Sequence, residues 1–136
     1  MTKTKVPTGA RARLVRAARA AMKNAYAPFS HFKVGAAILT ARGDIFSGCN
    51  VENSSYGLTN CAERTAIFSA VAAKGPGLEI VAVAVTCENG AACSPCGACR
   101  QVIYEFGAEA VIFYRGDEGE KENSIAELLP EGFRLR

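Results

Sequence analysis

The 136-residue chain predicts an α/β domain with a mixed sheet held between helical layers. Three observations carry that expectation: an amphipathic helical segment comes first, a hairpin pattern follows, and apolar strand-like runs then alternate with helical ones. The length suits one domain with a real core and is too short for two. Residues 1–8 are expected as a polar, loosely ordered tail and residues 9–136 as a single domain. No apolar run approaches the roughly 20 residues of a membrane-crossing helix, so a soluble protein is expected.

The first helix is expected from Gly9 to Tyr26, stopping before Pro28. Leu14, Ala18, Met22 and Ala25 form its apolar stripe, and Arg13, Arg16, Arg19 and Lys23 face outward. Lys33 to Thr40 and Asp44 to Asn50 read as strands joined by Ala41-Arg42-Gly43, whose glycine suits a positive φ angle. Asn50 to Asn53 is too polar for a strand interior and is expected as a loop at a strand's exit. A helix capped by Thr59 or Asn60 should span Cys61 to Lys74, burying Ala66, Ile67, Ala70 and Val71, and end at Gly75-Pro76-Gly77. Ile80 to Thr86 is almost wholly apolar, as a strand covered on both faces would be. After a loop from Cys87 to Pro95, a helix is expected from Cys96 or Gly97 to Phe106, then a strand from Ala110 to Tyr114. An edge strand near Glu122 to Ile125 and a helical turn at Ala126 to Leu129 complete the chain.

Charge is unevenly distributed. Nine lysines and arginines and no acid precede Asp44, whereas the remainder holds seven bases and thirteen acids. A basic front of this kind suits a polynucleotide patch or a transit peptide, but also the solvated face of an amphipathic helix. The last reading is favoured, because no aromatics are interleaved for base stacking and the segment runs directly into the domain. Six cysteines without a hydrophobic signal segment point to a reducing compartment, with cytoplasm the default.

Two stretches carry the chemistry. Asn60 to Ala66 reads N-C-A-E-R-T-A and places Cys61 two residues before Glu63 and three before Arg64. Ser94 to Gln101 reads S-P-C-G-A-C-R-Q, in which Cys96 and Cys99 have the two-residue gap of a zinc chelate. Cys61 and Cys96 both fall where a helix should begin, and helix-start amides favour thiolates. Three thiolates overcompensate a dication, so Arg64, Arg100 and Gln101 are expected to donate hydrogen bonds to the sulfurs and drain their charge. Glu63 is suited to move protons at an open coordination position. The alternative is a closed structural site with a fourth ligand from Cys93, Cys87, Cys49 or His31. Cys93-x-x-Cys96-x-x-Cys99 also matches part of an iron–sulfur ligand run. As the lone histidine, His31 reads more readily as a surface or packing residue.

At these residues the chain resembles the cytidine deaminase family, of the small homotetrameric, zinc-dependent type. Zinc deaminases carry an H-x-E and P-C-x-x-C signature, matched here with Cys61 in the histidine position. The resemblance extends through Y-A-P-F-S-x-F-x-V-G-A-A (Tyr26 to Ala37), G-C-N-V-E-N (Gly48 to Asn53), Y-G-L-T-N-C-A-E-R-T-A (Tyr56 to Ala66) and L-L-P-x-x-F (Leu128 to Phe133). It implies a three-layer α-β-α sandwich around a roughly five-stranded mixed sheet. It also implies one zinc per subunit on Cys61, Cys96 and Cys99, with Glu63 as proton shuttle.

The implied reaction is hydrolytic deamination of free cytidine and 2′-deoxycytidine to the uridines and ammonia, in pyrimidine salvage, through attack of an activated water on ring carbon 4. By the same resemblance, the Ala62 amide holds the 2-oxo group and the Pro95 carbonyl lies near the leaving amine. Asn50 and Glu52 hold the ribose 3′-hydroxyl. Phe29 packs on the pyrimidine, and Phe133 closes the pocket of a neighbouring subunit in a homotetramer. A cytoplasmic enzyme acting on nucleosides, with no nucleic acid polymer or membrane as partner, is the implied whole. Cys87 and Cys93 lie outside the motif and are expected to be spectators.

Overall fold

The computed structural model describes residues 6–135. Its elements are α1 (Ala10–Met22), β1 (Val34–Thr40), β2 (Ile45–Cys49), α2 (Ala62–Lys74), β3 (Ile80–Cys87), α3 (Gly97–Phe106), β4 (Val111–Gly116), β5 (Gly119–Ser124) and α4 (Ile125–Leu128). The strands form one mixed sheet in the order β2-β1-β3-β4-β5. Only β3 and β4 run parallel, joined by the α3 crossover, while every other neighbouring pair is antiparallel. No helix among the described residues is long and apolar enough to cross a membrane.

The sheet separates two apolar cores. On one side α1 sets Ala10, Leu14 and Ala18 against Ala37, Leu39, Ala82, Ala84 and Phe113. On the other, Ala66, Ile67 and Ala70 of α2, Ile103 of α3 and Ile125 of α4 pack on Ile38, Val83, Val85 and Ile112. Ile67 and Ile103 are fully buried although β-branched residues are weak helix formers. Their propensity cost is below about 0.7 kcal/mol each, whereas burying an isoleucine contributes about 1.5–3 kcal/mol, so packing decides. β1 is buried along almost its whole length because helices cover both of its faces.

Several boundaries differ from the sequence expectation for identifiable reasons. α1 ends at Met22 rather than Tyr26, because the Tyr26 backbone is taken by the segment after β2. Its N–H donates to Asn50 O at 3.0 Å, and its carbonyl accepts from Glu52 N at 2.8 Å. Met22 and Ala25 are consequently only half-buried, and Val71 of α2 likewise. Cys61 itself, not Thr59 or Asn60, is the N-cap of α2; Asn60 Nδ2 instead donates to Thr65 Oγ1 at 3.0 Å. β5 begins at Gly119, earlier than expected, because Gly116 pairs with Gly119 across a tight turn that its polar sequence did not signal. It is an edge strand, which explains its charged residues. α4 starts one residue early, at Ile125, where Ser124 and Glu127 form a reciprocal capping box. Of the expected tail, residues 1–5 lie outside the described residues, while Val6 packs against the α1 core.

Two glycines allow the layers to close on the sheet. A Cβ on Gly35 would strike the Ala18 carbonyl of α1. A Cβ on Gly48 would lie 2.5 Å from Ala66 N, 2.8 Å from Thr65 Cβ and 2.9 Å from Ala62 O, inside the first turns of α2. Gly48→Ala is therefore expected to push α2 away from β2. Overpacking of this kind costs about 1–3 kcal/mol, and here it also displaces Cys61 and Glu63. The measurement is chemical denaturation with zinc affinity in parallel; loss of stability with unchanged zinc affinity would show that the α2 start is not held by this contact.

Candidate active site

Two helix starts face one another. Cys61 is the N-cap of α2, and Cys96 is the N-cap of α3, where its sulfur accepts the Cys99 N–H at 3.4 Å. Cys99 lies one turn into α3 and is fully buried, Cys61 is half-buried and Cys96 is exposed. The Cys61 and Cys96 sulfurs are 3.8 Å apart, and all three sulfurs lie within 4.8 Å of one another. Tetrahedral zinc with bonds of about 2.3 Å sets its sulfurs about 3.8 Å apart, so the donor set fits that ion in chemistry and spacing. Among the described residues no fourth His, Cys, Asp or Glu joins the cluster, Cys49, Cys87, Cys93 and His31 included. A closed structural site built on those residues is thus not formed, and a metal held by the three sulfurs would have no fourth protein ligand of these types among the described residues.

Without metal the cluster is electrostatically tense. The Cys61 thiol is lowered to about 5, first by a hydrogen bond from Cys99 and then by Arg64, against the cost of burial. Cys99, as donor in that bond and buried as well, is held far above its ordinary value. Arg64 Nη2 donates to Cys61 Sγ at 3.1 Å, which raises the guanidinium further. Arg64 Nε is the buried side-chain nitrogen left without a partner among the described residues. Glu63, on the first turn of α2, is only 4% exposed. Burial pushes its carboxyl up to about 7 and the Cys61 thiolate adds to this, while Arg64 and Cys99 pull it down.

Arg64 alone of the three expected donors reaches a sulfur. Arg100 donates instead to the Pro95 carbonyl from Nε at 2.7 Å and to the Leu128 carbonyl from Nη1 at 2.9 Å. Gln101 Nε2 donates to the Phe133 carbonyl at 3.1 Å. Both side chains bond backbone carbonyls instead, before Cys96, at the end of α4 and near the C-terminus. They fasten the loop before Cys96 and the C-terminal segment to α3. Asn50 is buried and spans the β1 entry, accepting from Val34 N at 2.9 Å and donating to Phe32 O at 2.8 Å. Glu52 accepts from Phe29 N at 2.9 Å, from Ser30 N at 3.2 Å and from the Ser30 hydroxyl. The Ser30 bond, foremost, and these amides hold its carboxyl below the usual range. Phe29 and Phe133 are both exposed, and Phe29 meets Tyr56 edge-on at 5.7 Å.

Sequence reasoning missed Ser30, Tyr56 and Gly48 as positioning residues. Ser30 had a readable signal: its hydroxyl accepts Phe32 N at 3.1 Å, a local turn that serine after a Pro-Phe loop favours. Gly48 and Tyr56 had none, since each acts through a contact distant in sequence. Burial and the neighbouring Cys87 push the Cys93 thiol up to about 12, which favours its protonated form near neutrality.

The raised Glu63 carboxyl makes metal-free stability pH-dependent. Its folded value lies above its unfolded one, so the folded state binds the extra proton. The associated stability is complete below about pH 4.5 and is lost as pH rises through about 7. Glu63→Gln is therefore expected to stabilise the metal-free protein at pH 8 by up to about 3 kcal/mol and to leave it nearly unchanged at pH 4.5. Denaturant titrations at the two pH values read this directly; an equal effect at both would contradict the assignment.

The chain matches the family model described as the cytidine and deoxycytidylate deaminase zinc-binding region over residues 9–115. It is 45% identical over 125 residues to a cytidine deaminase of Sporosarcina psychrophila, covering 89% of each chain. The crystal structure of cytidine deaminase from Burkholderia pseudomallei superposes with a TM-score of 0.80 at 49% identity, covering 90% of this chain and 98% of that one. That of Mycobacterium tuberculosis gives a TM-score of 0.80 at 38% identity, covering 91% and 97%. With its three-cysteine cluster in place and its length matched almost throughout, the chain belongs to the zinc-binding cytidine deaminase family.

Proposed function

We propose that the protein hydrolytically deaminates free cytidine and 2′-deoxycytidine to uridine and 2′-deoxyuridine, releasing ammonia, in pyrimidine salvage. The observation that carries this reading is a buried carboxyl, Glu63, beside three convergent sulfurs at the starts of two helices. Cys61, Cys96 and Cys99 would hold zinc, a Lewis acid that makes water nucleophilic near neutral pH. Glu63, poised to exchange a proton near neutrality, takes one from the attacking water and delivers it to ring nitrogen 3. As a carboxylate again, it carries the proton of the new carbon 4 hydroxyl to the amine, so that the carbon 4–nitrogen bond breaks and ammonia leaves as the carbonyl forms. Arg64 holds the Cys61 sulfur and offsets thiolate charge, which otherwise weakens the metal's pull on water.

The remaining assignments follow the same logic. Ala62 opens α2, where the first amides have no intrahelical acceptor, so its N–H is available to the ring 2-oxo group. The Pro95 carbonyl keeps a second lone pair for the leaving amine while accepting from Arg100. Asn50 and Glu52 have capacity left after anchoring their loops, and a site that hydrogen-bonds a sugar hydroxyl discriminates against the free base. Phe29 offers a ring to the pyrimidine. Exposed Tyr56, Leu58, Phe68 and Phe133 support assembly into a homotetramer in which a neighbour's Phe133 closes the pocket. Six unpaired cysteines suit a cytoplasmic setting.

The test follows loss of cytidine absorbance together with zinc content. Glu63→Ala is expected to keep its metal and lose about 10²- to 10⁴-fold in turnover. Cys93→Ser should keep both. Arg64→Ala should fold and lose about 10- to 100-fold in activity or zinc affinity. Turnover surviving in Glu63→Ala overturns the shuttle, zinc loss in Cys93→Ser overturns the three-sulfur site, and an unaltered Arg64→Ala removes that residue from the mechanism.

A further inference from the structure

We infer that the groove between α1 and the ends of β3 and β4 is a binding site for an organic phosphate of the nucleotide class, separate from the metal centre. The groove encloses about 300 Å³, at the lower end of the range for small-ligand pockets. Arg11 and Arg19 of α1 form one wall, Arg115 of β4 another, and Val15, Val85 and Phe113 lie along its floor. Its mouth continues into a second depression along α1, bordered by Arg16 and Lys23. Guanidinium groups therefore approach the cavity from two elements on different sides, the arrangement that grips a phosphate by several paired N–H bonds.

Two carboxylates, Glu88 and Glu120, also line the groove. Glu120 pairs with Arg11 at 2.8 Å, and Arg11 also sits over the Phe113 ring at 5.3 Å. Glu88 accepts the Lys33 N–H at 2.9 Å. Arg19 and Arg115 have no ion pair or hydrogen-bond acceptor among the described residues, although Arg115 lies directly across the β4–β5 pair from Glu120. With three arginines against two carboxylates in its lining, the cavity keeps a positive surplus above an apolar floor. That combination selects a ligand with anionic and flat organic parts, whereas the nucleoside proposed as substrate is uncharged and gains nothing from these cations. The loop from Glu88 to Cys93 walls the groove, is tied to β4 by Cys93 N donating to Arg115 O at 2.9 Å, and runs on to Cys96. Occupancy is therefore placed one short segment from the metal cluster.

Calorimetric titration of the zinc-loaded protein with ATP and with inorganic tripolyphosphate, at about 150 mM salt to screen exposed charges, tests this. ATP should bind saturably at one site per chain. Arg19→Ala/Arg115→Ala should weaken it at least about tenfold while leaving zinc content and cytidine turnover without ATP unchanged. Arg42→Ala, an exposed cation on the β1–β2 turn, should leave ATP binding unchanged. Tripolyphosphate should bind more weakly than ATP because it leaves the floor uncovered. The inference is overturned if ATP shows no saturable binding, or if Arg42→Ala weakens it as much as the double variant. Equal affinity for tripolyphosphate overturns the organic part of the ligand. Binding of a short RNA oligonucleotide in the absence of ATP binding would make this a polymer surface and overturn the site. Failure of any of these leaves the deaminase reading intact, since that rests on cytidine turnover alone.

Discussion

Three sulfurs held within 4.8 Å of one another must be stable before a metal arrives and still be ionisable when it does. Thiolates at that spacing repel, and half-burial removes the water that would screen them. The fold answers with donors. Two helix starts aim their partial positive charge at Cys61 and Cys96, the Cys99 amide reaches Cys96, and Arg64 reaches Cys61. In the metal-free cluster Cys61 is held low and Cys99 high. Metal binding has to displace the protons the thiols hold, so zinc affinity and pH are coupled.

This arrangement requires the two helix starts to be positioned independently of the metal. α3 is placed by the parallel β3–α3–β4 crossover, whose ends are fixed by sheet pairing. α2 is placed by its contact with β2, where Gly48 lets backbone approach backbone. Around them, side chains whose types suggest ligand contact also brace loops: Asn50 across the β1 entry, Glu52 on the Phe29 loop, Arg100 on Pro95. A substitution at any of these changes loop geometry, whatever it does to a ligand. A fall in affinity alone would not separate the two effects.

The sequence revealed most where chemistry is local. Cys61, Glu63, Cys96 and Cys99 were legible because spacing and helix-start position are properties of short segments, and helix and strand order followed from periodicity. It revealed least where an element answers to a distant partner. The early end of α1 depends on Tyr26 pairing with the segment after β2, and no propensity in residues 23–26 announces that. Arg100 was expected to serve the sulfurs because it adjoins Cys99, but one residue along a helix turns a side chain by about 100°, and it points to loop carbonyls. Arg64, three residues beyond Cys61, lies on the same helix face and does reach its sulfur.

The basic character of the first forty-three residues also finds its place in the fold. Arg13, Arg16, Arg19 and Lys23 are exposed on α1, which covers the face of the sheet opposite α2 and α3. Packed layers are each on the order of 10 Å thick, comparable to the distance of about 8–10 Å over which physiological salt screens a charge. Cations on the outer face of α1 are therefore too remote to offset the thiolates. That leaves Arg64 and the two helix starts as the compensation near the metal site, and it explains why one arginine can matter there in a chain that carries a surplus of them. The α1 cations are free for a different purpose, on a surface where their field reaches solvent rather than the cluster.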